Sequence, residues 1–346
     1  RFTSPPRHSV TASVPMDDKP HEQTCSPPPG STDRPLNRST VRTVVYDQFP
    51  DLDGAGATLL GEGWDFDAYR VGETVLRFPR RAEIAPRLVD EIRLLEYLRS
   101  SVEFNARIPV YHRFGAASDR FPYPFAGYRF IDGASATNSD LSRQSLETLA
   151  VQTGEWLASL HDVEPWRARD VGVTNDRQGT EQRLERLLGQ ADLARTALPP
   201  DVADAWEPCL SGDIALPDPH AGTPVLLHND LVAEHLLVEP KTGKLLGVID
   251  FTDAALGDPV QDFVGLLVAF GKQFVHRALE AYDREIDAGF WERLKVRGDL
   301  LRLTQFAEAV RRGADAGAYL ERLLDASESS SCELSPTSRR GEPPNS

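Results

Sequence analysis

Cysteine is scarce in this chain. Its 346 residues hold three, Cys25, Cys209 and Cys332, with no Cys-x-x-Cys pair and no even framework, which argues against a disulfide scaffold or a zinc finger. Long apolar runs are lacking too: no uninterrupted stretch reaches the roughly 18 residues of a membrane span. Basic charge is in deficit, since 38 Lys and Arg against 53 Asp and Glu leave a formal net charge of −15. A bulk nucleic-acid binder would need the opposite sign, because phosphate neutralisation supplies most of its affinity. A cationic small substrate is compatible with this charge but not demanded by it. Neither nucleic acid nor membrane is an expected partner, and a reducing, cytoplasmic setting is expected. What is present suffices for sizeable cores, with 40% hydrophobic residues, and the length predicts two domains or one large one. No internal repeat is found.

The ends differ from the middle. Residues 1–40 hold 8 of the 26 prolines and 11 Ser or Thr, with Phe2 the only aromatic. Such a stretch buries too little apolar surface to offset its ordering entropy and is read as a disordered tail. It lacks the apolar core of a secretory signal, and Asp17, Asp18 and Glu22 argue against a transit peptide. Residues 326–346, with Ser329-Ser330-Ser331 and Pro343-Pro344, are read as a second tail.

Between the tails, 41–49 reads as a short helix closed by Pro50. Ala57–Gly61, Ala68–Val71 and Thr74–Phe78 read as strands separated by Gly-rich turns. Ile84, Leu88, Ile92, Leu95 and Leu98 fall at helical spacing. Val110–Phe114 and Phe125–Ile131 are two more strands, so residues 41–132 predict an antiparallel five-stranded sheet with a helix. Residues 133–325 predict a mostly helical half, with helices around 146–161, 180–196, 262–283 and 289–325. Strands at 224–227, 236–239 and 245–251 interrupt it, and the Asp132-Gly133-Ala134-Ser135 turn marks the boundary.

The strongest chemical signal is His228-Asn229-Asp230-Leu231-Val232-Ala233-Glu234-His235. Gly247-Val248-Ile249-Asp250-Phe251 and Gly257-Asp258-Pro259-Val260-Gln261-Asp262 follow it. An acid just after an apolar strand can accept a hydroxyl proton. A second acid, twenty residues on at the end of another apolar strand, can hold a divalent ion, and His235 can supply a further ligand. Phosphoryl transfer needs these parts, because its catalysis is mostly positioning plus charge cancellation.

This pattern resembles the catalytic and metal loops of the protein-kinase-like fold, in the form of the aminoglycoside phosphotransferase family. That family also includes choline, homoserine and macrolide kinases. Most members carry Asn where this chain has His235; the aminoglycoside 2″-phosphotransferases carry His, which points to that subgroup. The resemblance covers roughly 41–325 and implies a bilobal α+β fold, with a small antiparallel N-lobe sheet and a larger helical C-lobe. It implies ATP or GTP as phosphoryl donor, Mg²⁺ as cofactor, and a small-molecule alcohol, aminoglycoside-like, as acceptor. Asp230 would orient the acceptor hydroxyl, and His235 and Asp250 would bind metal. Gly61 and Gly63, with Glu62, Trp64 and Asp65, occupy the place of the phosphate-covering hairpin. Arg77 stands where the family's β3 lysine is usual, with Glu91 as its partner, and Tyr128-Arg129-Phe130-Ile131 corresponds to the hinge strand that reads the purine. Asp258 and Asp262 would brace the catalytic loop.

Plainer readings stand beside these. Asp230 and Asp250 could be strand-end caps, His228 a satisfied core histidine, Glu91 a solvated helix position and Arg77 a sheet-surface cation. His220, His228 and His235 match no common zinc spacing. Trp64 is assigned no role. Two other functions remain open: a metabolite kinase on the same fold, acting on choline, homoserine or a sugar, and a nucleotide-binding protein without turnover. The acids that often follow the final Asp-Phe in the 2″-phosphotransferases are missing from Val264–Phe274, and return only at Glu280, Asp283, Glu285 and Asp287.

Overall fold

The computed structural model describes residues 32–52 and 56–332. Most of the two tails therefore lies outside the described residues. The parts that are described are ordered by specific contacts. Helix α1 (Arg38–Gln48) begins three residues before position 41, because the Asn37 side chain caps it by accepting from the Thr40 amide. Ahead of it, Asp33 accepts from the Tyr123 hydroxyl at 2.8 Å. The body thus starts earlier than composition alone indicates.

Strands β1 (Thr58–Glu62), β2 (Phe66–Val71) and β3 (Thr74–Pro79) precede helix α2 (Ala85–Ser101), and β4 (Tyr111–Gly115) and β5 (Phe125–Arg129) follow it. They form one antiparallel sheet in the order β1-β2-β3-β5-β4. Alternation along β3 decides what each face carries. Leu76 and Phe78 pack with Val41, Val44, Val45 and Phe125 under α1. Arg77, one step out of phase, points to the other face, where Phe66, Ala126 and the α2 residue Leu88 pack.

The chain crosses to the second lobe through β6 (Ala134–Ser135), which pairs with β8 (Leu236–Val238) and through it with β9 (Leu245–Val248). Helices α3 (Arg143–His161), α4 (Pro165–Asp170), α5 (Thr180–Leu188), α6 (Ala191–Ala197) and α7 (Pro200–Ser211) come between β6 and β7 (Val225–Leu227). After β9 follow β10 (Ala255–Gly257), paired with β7, and helices α8 (Gln261–Tyr282), α9 (Phe290–Arg311) and α10 (Gly317–Cys332). The expected helix at 180–196 is two helices parted at Gly189-Gln190, and that at 289–325 is α9 and α10 parted at 312–316. Helix α10 continues through 326–332, inside the stretch read as tail. Helix α7, whose Val202, Trp206 and Leu210 recur at helical spacing, and the three-residue β10 lie outside the expected elements.

The C-lobe has two cores. The larger joins α3 and α8 to the strands through Trp156, Leu157, Leu236, Phe251 and Phe263. The smaller joins α5, α6 and α7 to α9 and α10 through Leu187, Trp206, Leu303, Phe306 and Leu323, forming a helical subdomain. Helices α3 and α8 touch backbone to backbone at one point, where a Cβ on Gly154 would lie 2.0 Å from the Ala278 carbonyl oxygen. Neither backbone can yield cheaply in a close-packed interior. Gly154→Ala is therefore expected to destabilise by about 1–3 kcal/mol, read as a fall of several degrees in melting temperature. An unchanged melting temperature would show that α3 can shift freely against α8.

Candidate active site

Strand β7 delivers His228-Asn229-Asp230 to the cleft between the lobes, and Asp262 in the first turn of α8 holds that loop. Its two carboxylate oxygens accept from the amides of His228 (2.8 Å) and Asn229 (2.7 Å). His161 Nε2 lies 3.0 Å from Asp262 Oδ2, and His161 Nδ1 lies 2.7 Å from the Tyr282 hydroxyl. Asn229 takes φ 69°, a left-handed conformation that Asn tolerates better than most residues. The His228 side chain is fully buried, with Nε2 3.0 Å from the Ile249 carbonyl, so it ties the two loops together as a core histidine. Burial lowers its pKa and favours the neutral imidazole.

Asp230, His235 and Asp250 converge in this cleft. His235 Nδ1 lies 2.8 Å from the Asp230 carbonyl oxygen, which can only accept, so Nδ1 carries a proton. Nε2 then faces Asp250, 3.8 Å from Oδ2, while Nδ1 lies 3.7 Å from Asp230 Oδ2. Burial pushes the Asp230 carboxyl up to about 6, although His235 draws it down and Asp253 and Asp250 add to the rise. For His235, burial acts to lower the pKa, but the Asp250 and Asp230 charges outweigh it and the imidazole is shifted up. Asp250 also experiences burial that favours the acid form. The Arg77 and His235 charges overcome this and hold its carboxyl well below the usual carboxylate range.

Arg77 is the hub of the cleft wall. Its Nη1 donates to both oxygens of Glu91 at 2.7 and 2.6 Å, and its Nη2 to Asp250 Oδ1 at 2.7 Å. The guanidinium lies 4.2 Å above the Phe66 ring centre. Glu91 is 2% exposed, which removes the solvated-helix reading, and Arg77 at 5% is no surface cation. The Thr252 hydroxyl lies between the two acids, 2.8 Å from Glu91 Oε2 and 2.9 Å from Asp250 Oδ1, and the Tyr111 hydroxyl reaches Glu91 at 3.2 Å.

The remaining anticipated residues surround this hub. The Gly63 amide donates to the Phe66 carbonyl at 2.9 Å, and a Cβ on Gly63 would meet that same oxygen at 2.9 Å, so the tight turn excludes a side chain. Gly61 sits at a bulge in β1. Tyr128 is buried edge-on against Tyr111 beside the Arg77 cluster. The Phe130 amide donates to the Glu73 carbonyl at 2.8 Å and its ring packs under Arg70, so this residue's N–H is engaged within the sheet. Asp258 is bound by Arg293 (2.8 Å) and Arg297 (2.9 Å). Two of the later acids are also engaged: Glu280, in the last turn of α8, pairs with Arg277, and Asp287 with Arg293 and His220.

Several participants were not visible in the sequence pattern. Arg87 donates to Asp65 Oδ2 at 2.6 Å and to Asp253 Oδ1 at 2.5 Å, linking the hairpin to the loop after Asp250. Its position four residues before Glu91, on one face of α2, was the only available signal. Thr252, Tyr111 and Asp253 carry none. Arg183 on α5 pairs with Asp176 at 3.6 Å, and burial lowers its pKa to about 10.

Residues 56–298 match the model of the phosphotransferase enzyme family. The chain belongs to this family. It is 27% identical over 222 residues to the uncharacterized protein YcbJ of Bacillus subtilis (strain 168), covering 61% of this chain and 67% of that one. It is 25% identical over 275 residues to viomycin phosphotransferase of Streptomyces vinaceus, covering 75% and 90%. Among solved structures, the GDP and kanamycin complex of the aminoglycoside 2″-phosphotransferase APH(2″)-IIIa superposes with a TM-score of 0.66 at 26% identity, over 84% of this chain and 98% of that chain. The bilobal kinase-like architecture and the phosphotransferase class thus rest on both sequence and shape.

The bracket at Asp262 generates a stability prediction. Asp262→Ala strands the buried His228 amide, the half-buried Asn229 amide and His161 without their acceptor, and breaking such buried networks costs about 3–5 kcal/mol. The urea unfolding midpoint of this phosphotransferase should fall accordingly, with Asp262→Asn in between. A midpoint unchanged in Asp262→Ala would mean the loop is held by other contacts.

Proposed function

We propose that this phosphotransferase moves the γ-phosphoryl group of ATP or GTP onto a hydroxyl of an aminoglycoside-like small molecule, with Asp230 as the acceptor-orienting base. The carrying observation is the convergence of Asp230, His235 and Asp250 from separate segments onto one cleft, at 3.7 and 3.8 Å. Asp230, with its side chain 47% exposed, can reach a hydroxyl and accept its proton. The likeness to an aminoglycoside 2″-phosphotransferase bound to GDP and kanamycin supports the acceptor class, as does the viomycin phosphotransferase relative.

The donor set fits Mg²⁺. Asp250 is a hard, ionised ligand with its side chain 37% exposed, and the proton on His235 Nδ1 leaves Nε2 as the nitrogen able to ligate. When bound there, Mg²⁺ would neutralise charge on the donor's phosphates. Arg77 supplies fixed positive charge beside them. Its Nη1 is committed to Glu91, so the prong that can turn to an α- or β-phosphate oxygen is Nη2, which holds Asp250 in this structure.

A second reading, a metabolite kinase on the same fold, is favoured by a specific observation. The Val264–Phe274 stretch brings no acid to the cleft, and Glu280 and Asp287 are already neutralised by arginines. A panel of kanamycin, viomycin, choline and homoserine with ATP and with GTP, read by mass spectrometry, separates the two readings. Phosphorylation of an aminoglycoside supports the first, and phosphorylation of choline or homoserine alone replaces it with the second. Asp230→Asn is expected to lower kcat by about 10²–10⁴-fold while nucleotide still binds. A variant with wild-type kcat would remove Asp230 from the mechanism.

In a calorimetric titration with Mg-nucleotide, Asp250→Ala should abolish metal-dependent binding, whereas His235→Ala should weaken it without abolishing it. The carboxylate is the harder, charged ligand and imidazole a neutral one. Equal and small effects would contradict this ligand assignment.

A further inference from the structure

Trp64 stands at the tip of the β1–β2 hairpin, 43% exposed. Its ring is nonetheless covered, and not by the N-lobe: the guanidinium of Arg312, the residue directly after α9, lies over it at 3.9 Å from the ring centre. Arg312 is aimed by its own helix, since its Nε donates to Glu308 Oε1 at 2.6 Å. Glu308 is itself fixed by Arg311. The next hairpin residue is tied elsewhere. Asp65 is held by Arg81 and by Arg87, and Arg87 continues to Asp253 beside Asp250.

The hairpin tip is thus fastened at two points: to the loop after Asp250 through ion pairs, and to the helical subdomain through one aromatic face. The two fastenings differ in kind. Arg87 bridges two carboxylates at hydrogen-bonding distance. The Trp64–Arg312 contact is a single solvent-exposed stack, with Arg312's side chain 40% exposed. Such a stack is weak enough to break and re-form within a catalytic cycle. Gly63, whose amide donates to the Phe66 carbonyl, fixes the turn that carries the indole.

We propose that the Trp64–Arg312 contact is a latch that holds the nucleotide-covering hairpin closed against the helical subdomain and must open before nucleotide can leave. This rests on the reading of the cleft as a nucleoside-triphosphate site. The latch joins the N-lobe hairpin to the end of α9, whose residues Leu303 and Phe306 share a core with α5.

The test is stopped-flow release of mant-ADP and mant-GDP, with Mg²⁺, from the full chain. Arg312→Ala and Trp64→Ala should each speed release about two- to five-fold, the size of an exposed cation–π contact. The double variant should be no faster than the faster single one, because both changes remove the same contact. Arg312→Lys, which keeps a cation over the ring, should release close to the wild-type rate, and this separates loss of the latch from damage to the fold. Unchanged release in both alanine variants, or effects that multiply in the double variant, would overturn the latch alone. If the wild-type chain binds neither labelled nucleotide, the reading of the cleft fails and the latch falls with it.

Discussion

One buried guanidinium ties the N-lobe sheet to both α2 and the C-lobe. Arg77 rises from the N-lobe sheet, grips Glu91 on α2 with one nitrogen, and reaches Asp250 in the C-lobe with the other. A lysine at this position would offer one point charge, whereas the planar fork spans two carboxylates at once and stays ionised when buried. Burial of Arg77 acts against its charge, and the Asp250 and Glu91 carboxylates outweigh that effect and push its pKa well above the usual value. The cost of taking three charges out of water is offset by short, directed bonds and by the Thr252 and Tyr111 hydroxyls. The ionised state of Asp250 and the seating of α2 against the sheet both draw on that one side chain.

The His228–Asp230 loop depends on a different device. Its backbone bends through a left-handed Asn229, which leaves the His228 and Asn229 amides pointing the same way, and Asp262 receives both. Because Asp262 lies in the first turn of α8, the loop is referenced to the longest helices of the lobe rather than to neighbouring loops. His228 adds a second reference by bonding the Ile249 carbonyl, one residue before Asp250. The two loops that bear Asp230 and Asp250 are therefore positioned by the same buried core.

Much of this was legible in the sequence, for identifiable reasons. The five N-lobe strands showed through because their alternation is strong and their turns are rich in Gly. The His228 to Asp262 pattern showed through because phosphoryl-transfer chemistry demands particular side chains at particular spacings. Glu91 was half visible: helical spacing placed it on α2, but only packing against Arg77 reveals that it is buried. Arg87 and Thr252 were invisible, because each acts through a partner far along the chain, and one arginine or threonine carries no periodicity. Helix ends differed at 38, where a single Asn cap outweighed window-averaged composition, and at 332, where α10 runs through the stretch read as tail. The long helix at 289–325 broke at Arg312–Ala316, a stretch whose Gly313 takes φ 65°. That break is what presents Arg312 to the hairpin.

The division of the C-lobe into two cores has an evolutionary consequence. Asp262, Tyr282 and His161, which support the His228–Asp230 loop, sit on α3 and α8, around the larger core. None comes from α5, α6, α7 or α10. A lineage can therefore exchange residues throughout the smaller core while the contacts that hold this loop stay in place.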